Sequence, residues 1–199
     1  MPEMDGLELC STIKNDIRYS HIPIILLTAK ASEEHQLEGL SVGADDYITK
    51  PFNMEVLKLR INKIIEMNVK RQEIFNQDIK IEPSRITITP LDRQLVEKAI
   101  QIVEDNISET EFSVEELASS LNISRSYFYK KIIKITGKKP IEFIRTIRMK
   151  RAQQLLTESQ MQVSEIAYTL GYNSPKVFSK HFKEEFNISP SEFIRQQAE

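Results

Sequence analysis

The chain has 199 residues, 40% hydrophobic and 28% charged, with a net charge of −2 and one cysteine, Cys10. That balance suits a soluble globular protein with room for one large or two small domains, and no apolar run approaches the roughly 18 residues of a membrane helix. The lone cysteine excludes an internal disulfide and a cysteine-built zinc cage, so a reducing, cytoplasmic setting is expected; the opening MPEMDG lacks the basic and apolar regions of a signal peptide.

Residues 1–68 read as helix, strand, helix, strand, helix. Leu7 to Asn15 is the first helix. Ile22 to Leu27 is a continuous apolar strand, as in a parallel sheet covered on both faces. Ser32 caps a helix running to about Val42, and Gly43 ends it. Asp46 to Ile48 is a short strand. Asn53 caps a helix with Leu57, Ile61, Ile64 and Ile65 on its apolar side. The alternation predicts a doubly wound α/β domain, whose chemistry gathers at the C-terminal strand ends, here Leu27 to Ala29 and Ile48 to Lys50.

The motifs MPEMDG, PIILLTAKAS and GADDYITKPF, at this spacing, resemble the receiver domain of two-component response regulators. The resemblance covers residues 1–68. It implies that Thr28 is the hydroxyl that contacts an aspartyl phosphate, Lys50 its counter-charge, Tyr47 the switch aromatic, and Lys50–Pro51 a cis peptide. A phosphoryl group brings nearly two negative charges and strong acceptors, which a hydroxyl and an ammonium capture. In that family the phosphorylated Asp lies just before the MPEMDG stretch and the acidic magnesium pair earlier still. The chain therefore reads as a truncated, flavodoxin-like receiver and a fragment of a longer protein. Mg2+ and aspartyl phosphate are expected only in the intact receiver, with no cofactor in this fragment. An open half-sheet predicts a homodimer, swapping or aggregation.

Residues 69–89 are polar, with Pro83 and a short extended piece at Ile86 to Thr89, and read as a linker. Residues 90–199 form an all-α domain that repeats itself. Val114 to Leu121 followed by Asn122-Ile123-Ser124 matches Val163 to Leu170 followed by Gly171-Tyr172-Asn173-Ser174, at an offset of 49 that becomes 50 after one inserted residue. Pro140-Ile141-Glu142-Phe143-Ile144-Arg145 likewise matches Pro190-Ser191-Glu192-Phe193-Ile194-Arg195. Each copy reads as a helix-turn-helix, about 113–137 and 163–186. Asn122 and Gly171 tolerate a left-handed turn, Ser124 and Ser174 are N-caps, and Pro175 sits at the first helical position. The second helix of each copy turns Phe128 and Ile132, or Phe178 and Phe182, inward. Its outward side carries Arg125, Ser126, Tyr127, Tyr129 and Lys130, or Lys176, Ser179, Lys180 and His181, which suits a helix entering a major groove.

A helix from about 140 to 156 joins the copies, with Ile141, Ile144, Ile147, Ala152 and Leu155 along one side. At 1.5 Å per residue it is about 25 Å long, in the range that sets two reading helices about one DNA turn apart. Its Arg145, Arg148, Lys150 and Arg151 are candidates for backbone phosphates. Residues 122–151 hold ten Lys or Arg and one acid, Glu142. Such a block suits a polyanion, a solvated basic face being the alternative.

The stretches SVEELASSLNISRSYFYKKIIKITGKKPIEFI and VSEIAYTLGYNSPKVFSKHFKEEFNISPSEFIR make residues 90–195 resemble an AraC-type DNA-binding domain. Asn187 stands where that family usually has Gly. The two resemblances together imply a sequence-specific, non-enzymatic transcription regulator of a phosphorelay. Its implied partners are double-stranded DNA, an upstream histidine kinase or kinase domain, and RNA polymerase. A stand-alone regulator and the end of a hybrid sensor fit almost equally. Two alternatives stay open: a nonspecific DNA-binding protein, and a DNA-repair alkyl acceptor using Cys10. A triad or metal site has no support, since His21, His35 and His181 lack matching ligand spacing.

Overall fold

A computed structural model of the chain describes residues 4–29, 33–77, 83, 87 and 89–197. The chain divides into two compact units, the first spanning residues 1–75 and 82–95, the second 76–81 and 96–199.

The first unit opens with α1 (Gly6–Asn15), capped by Asp5, whose Oδ1 accepts from the Glu8 N–H at 2.8 Å. Two parallel strands follow, β1 (Ile25–Thr28) and β2 (Asp46–Thr49), in the register Ile25 with Asp46 through Thr28 with Thr49. Between them runs α2 (Glu33–Ser41), ended by a turn in which Gly43 has a φ of +93°. The first strand is shorter than the predicted Ile22 to Leu27. Pro23 has no N–H to donate to a ladder. Side chains help to hold the segment: Lys14 Nζ donates to the Ile22 carbonyl at 3.0 Å, and the Ile24 N–H donates to Asp45 Oδ2 at 2.8 Å. The same Asp45 oxygen takes Lys14 Nζ at 2.7 Å in a nearly buried ion pair that ties α1 to the approach of β2. Ser32 and the side chain of His35 lie outside the described residues.

Asn53 Oδ1 accepts from the Glu55 N–H at 2.7 Å and so starts α3 (Met54–Gln77). This helix continues into residues whose polar composition predicts a linker. The reason is local: no Gly or Pro occurs between Asn53 and Gln77, and Lys70, Arg71, Gln72 and Glu73 are good helix formers. The predicted extended piece at Ile86 to Thr89 falls mostly outside the described residues. Large apolar side chains remain exposed on α2 and α3, among them Leu37, Leu40, Leu59 and Ile65.

The boundary between the units falls after Leu95, within α4 (Pro90–Asp105). The first turn of that helix belongs to the first unit, where the buried Asp92 accepts from Ser20 Oγ at 2.9 Å.

The second unit continues with α5 (Val114–Ser120), α6 (Arg125–Thr136), α7 (Pro140–Glu158), α8 (Val163–Thr169), α9 (Pro175–Phe186) and α10 (Pro190–Gln197). Two helix-turn-helix copies, α5–α6 and α8–α9, are joined by α7. Phe128, Ile132 and Leu117 are fully buried in the first copy, and Ile166, Leu170, Phe178 and Phe182 in the second. The duplication extends to the helix starts. In α5 and α8, Glu116 and Glu165 accept from the N–H of Ser113 and Gln162; in α7 and α10, Glu142 and Glu192 accept from Lys139 and Ser189. Each closes a donor that a helix start leaves open. The turns repeat as well: Asn122 and Gly171 have φ of 54° and 74°, and Gly137 and Asn187 have 75° and 62°. Asn187 thus adopts the left-handed conformation that its place requires.

The joining helix departs most from its sequence expectation. It is 19 residues long, about 28 Å. It is also buried on nearly every side in its central turns, from Phe143 to Lys150, because the cores of both copies close on it. A single apolar stripe therefore does not describe it. Ile141, expected on the inner side, is 61% exposed, whereas Arg148 and Lys150 are buried.

Candidate nucleic-acid interface

The first reading helix, α6, starts at Ser124, whose Oγ accepts from the Tyr127 N–H at 3.2 Å. With Phe128, Ile132 and Ile135 inward, the helical repeat turns Arg125, Ser126, Tyr129 and Lys130 to solvent. Tyr127 is half-buried. Arg125 pairs with Glu115 at 2.7 Å, both side chains being largely exposed. Such a pair is worth at most about 1 kcal/mol and yields readily to a phosphate or a base edge.

The second reading helix, α9, starts at Ser174 with Pro175 in first position, but the Ser174 side chain makes no cap bond. Proline removes one donor that a cap would serve, which lessens the need. Lys176 and Lys180 are exposed, and Ser179 and His181 are half-buried. Lys180 stands 3.8 Å from Glu184, one turn on. His181 Nδ1 lies 3.1 Å from the Tyr172 hydroxyl. Burial, with Arg145 nearby, lowers the imidazole pKa and so disfavours the cation. Burial pushes the Tyr172 phenol up to about 12, which keeps it protonated and able to donate.

Of the four basic residues on α7 expected at phosphates, two keep that role open. Arg151 is exposed, and Arg145 is partly exposed beside Glu184 at 3.3 Å. Arg148 and Lys150 do not, because both are buried. Arg148 Nη2 donates to the Glu109 carbonyl at 2.6 Å, anchoring the segment after α4 to α7. Its Nε finds no hydrogen-bond partner among the described residues. Lys131, on α6, is also fully buried and so is not a solvated lysine. An open groove of about 580 Å³ runs between α7 and α9, lined by Ile144, Arg145, Arg148, Tyr172, Val177 and His181 among others. It joins the outward side of the second reading helix to the joining helix in one mixed apolar and cationic surface.

One polar cluster has no signal in the sequence. Lys138 Nζ donates to Thr146 Oγ1 at 2.7 Å and to Glu185 Oε1 at 2.6 Å, and Thr146 Oγ1 donates to the same Glu185 oxygen at 3.0 Å. The partners are 8 and 47 residues from Lys138, so no local spacing marks them. The paired glutamates at the helix starts, by contrast, are visible in the repeat itself.

In the first unit, Thr28 ends β1 and Tyr47 lies on β2; both line a cleft of about 180 Å³ with Asp5, Gly6, Leu7, Leu26 and Leu27. The Lys50 N–H donates to the Thr28 carbonyl at 2.6 Å, and the Lys50–Pro51 peptide is cis. Thr28 and Lys50 thus lie at the C-terminal end of the sheet, whereas Tyr47 pairs with Leu26, two residues before that end. Among the described residues, the one carboxylate lining the cleft is Asp5, with one oxygen engaged at the start of α1.

Cys10 is 1% exposed, and burial raises its thiol pKa. An alkyl acceptor needs a thiolate, which this setting disfavours. Iodoacetamide at pH 8 is expected to leave Cys10 unmodified in the folded chain and to modify it in denaturant; equal rates in the two states, read by intact mass, would count against the buried placement.

No helix among the described residues is long and apolar enough to cross a membrane. Residues 1–62 match the response regulator receiver domain family, and residues 117–196 match the helix-turn-helix domain family. The chain is 46% identical over 199 residues to histidine kinase P4 of Formosa agariphila, aligning along its whole length with 14% of that protein. Over 98 residues it is 38% identical to the lactose operon transcription activator of Staphylococcus xylosus, covering 49% of this chain and 35% of that one. The chain therefore spans a small part of the first of these relatives and little more than a third of the second. A crystal structure of a transcriptional regulator with an AraC-type DNA-binding domain from Chromobacterium violaceum superposes with a TM-score of 0.50 at 27% identity, over 54% of this chain and 95% of that one. The chain thus carries response regulator receiver sequence followed by a helix-turn-helix domain similar to AraC-type DNA-binding domains.

Proposed function

We propose that the chain is the DNA-reading output of a phosphorelay, a transcription regulator that recognises a bipartite site with one half read by each helix-turn-helix. The observation that carries this reading is the pair of reading helices, α6 and α9, each with an apolar inner face and an outer face of Lys, Arg, Ser and Tyr or His, held on one joining helix. Arg125, Ser126, Tyr129 and Lys130 face the first half-site. Lys176, Ser179, Lys180 and His181 face the second, while Tyr127 supports its helix. Arg145 and Arg151 reach phosphates between them. Phosphate contacts set position, and base edges supply sequence preference.

Thr28, Tyr47 and Lys50 are the phosphate-responsive group of the receiver, acting on a phosphorylated aspartate that these residues do not include. The chain itself is a binding module and not an enzyme. It works in the cytoplasm with a histidine kinase or kinase domain as its source of phosphate, and with RNA polymerase at the promoter. The exposed apolar side chains of α2 and α3 support homodimer formation. Light scattering is expected to show a mass that rises toward twice 23.1 kDa with concentration; a constant monomer mass would reject the dimer.

The function is tested by selecting from a pool of randomised duplexes at near-physiological salt. The expected product is a motif of two half-sites about one helical turn apart. Binding with steep salt dependence and no enriched motif would instead show nonspecific attraction to phosphates.

A further inference from the structure

We propose that Lys138, Thr146 and Glu185 lock the two reading helices at one separation, and that this lock decides which half-site spacing the chain accepts. The inference rests on the proposed reading of DNA by α6 and α9. Lys138 lies immediately beyond Gly137, the residue that ends α6, and Glu185 lies in the last turn of α9. Thr146 sits between them on the joining helix. The lysine and glutamate side chains are 19% and 10% exposed, Thr146 is fully buried, and the three bonds measure 2.6–3.0 Å. The cluster therefore connects the C-terminal ends of the two reading helices through the element that carries both.

The physical case is one of direction. Apolar contacts between helices are non-directional and survive small slides. Charge-assisted hydrogen bonds weaken steeply with displacement and misalignment, the more so where water is scarce. A cluster of this kind adds little net stability, because both charges have lost hydration, and its effect falls on the choice of arrangement. A protonated amine beside the C-terminal ends of two helices is also favoured by their dipoles. The nearby Arg145–Glu184 contact joins two of the same helices but is longer and wetter, at 3.3 Å with side chains 33% and 45% exposed, and constrains them less. Lys138, Thr146 and Glu185 are thus positioning residues, with no contact to bases asked of them.

The test has a DNA-free and a DNA-bound part. Cys10→Ser removes the one native thiol, and Lys130→Cys with Lys180→Cys places a spin label on each reading helix. The inter-label distance distribution is expected to be narrow in this background, to widen clearly with Lys138→Met, and to narrow again in the charge-swapped pair Lys138→Glu with Glu185→Lys. Thr146→Val, which keeps shape and removes one hydroxyl, is expected to widen it less. An unchanged width in folded Lys138→Met, or in Thr146→Val should Lys138→Met fail to fold, overturns the lock. For the unlabelled chain, inserting one base pair between the half-sites is expected to cost about tenfold in affinity, the value of one charged hydrogen bond, and under about threefold in Lys138→Met. An equal penalty in both proteins overturns the specificity role. A parent chain indifferent to spacing rejects the two-helix reading of DNA, while the label widths still decide whether the lock exists.

Discussion

Replacing Lys180 with glutamate is expected to lower affinity for the selected bipartite site by about a hundredfold, with no change in thermal melting. Lys180 is 73% exposed on the outer side of α9, and Glu184, one turn on, is 3.8 Å away. An exposed pair at that distance contributes under about 1 kcal/mol, so the fold loses little with it. A lysine at a base edge or phosphate contributes about 1–3 kcal/mol, and an introduced carboxylate adds repulsion of similar size. Alanine at the same place is expected to cost about tenfold. Titration with salt separates the two roles. If Lys180 meets a phosphate, Lys180→Ala reduces affinity uniformly across sequences and lowers the salt slope by about one; if it meets a base edge, the same variant relaxes preference in the second half-site alone. Fluorescence anisotropy of labelled duplexes at several salt concentrations reads both. Unaltered binding of the glutamate variant would remove Lys180 from the interface.

Truncating Phe182 to alanine is expected to cost about 3–5 kcal/mol, enough to unfold much of the second helix-turn-helix. The ring is fully buried at the centre of an aromatic cluster. Its centroid lies 6.0 Å from that of Phe178, 4.6 Å from Phe186 and 5.8 Å from Phe193. These three rings reach it from its own helix and from α10, so no single neighbour can shift into the space. The core around it also includes Met149 and Ala152 of α7, Ile166 and Ala167 of α8, and Leu170 just beyond α8. Urea unfolding followed by circular dichroism is expected to show the effect as a lower midpoint or a missing transition. Leucine at this position, which retains most of the volume, is expected to recover more than half of the stability. A cost below about 1 kcal/mol in the alanine variant would mean that the site collapses around the gap or that the ring is less enclosed than the structure shows.

Much of this organisation is legible in the residues. The two repeats announce themselves through matched apolar positions, and Phe128, Ile132, Phe178 and Phe182 are assignable to the core by helical spacing alone. The outward placement of Arg125, Ser126, Tyr129, Lys130, Lys176 and Lys180 follows from the same wheel. The extent of α3 is not legible from composition, because a polar linker and a charged helix with no Gly or Pro are composed alike. The burial of Arg148 and Lys150 is hidden for another reason. A wheel drawn for one helix assumes one buried side, and the joining helix has two cores on it.

The amino-acid sequence by itself determined the periodic features: which faces of the repeated helices are apolar, where the turns need a left-handed residue, and which ends carry a serine or glutamate that can serve a free N–H. These depend on neighbours within about four residues along the chain, so they can be read from order alone. Tertiary structure decided what rests on approach. At Gly171 a β-carbon would lie 2.9 Å from the Ile107 carbonyl oxygen and 3.0 Å from that of Ser108, so glycine is required there by contact as well as by its φ of +74°. Its counterpart Asn122 needs the left-handed turn, which asparagine adopts with a φ of 54°. The two positions are equivalent in the repeat, yet in the second copy the segment after α4 closes on the turn. The Lys138–Thr146–Glu185 cluster and the carbonyl that holds Arg148 arise in the same way, from distant parts of the chain meeting once the cores close.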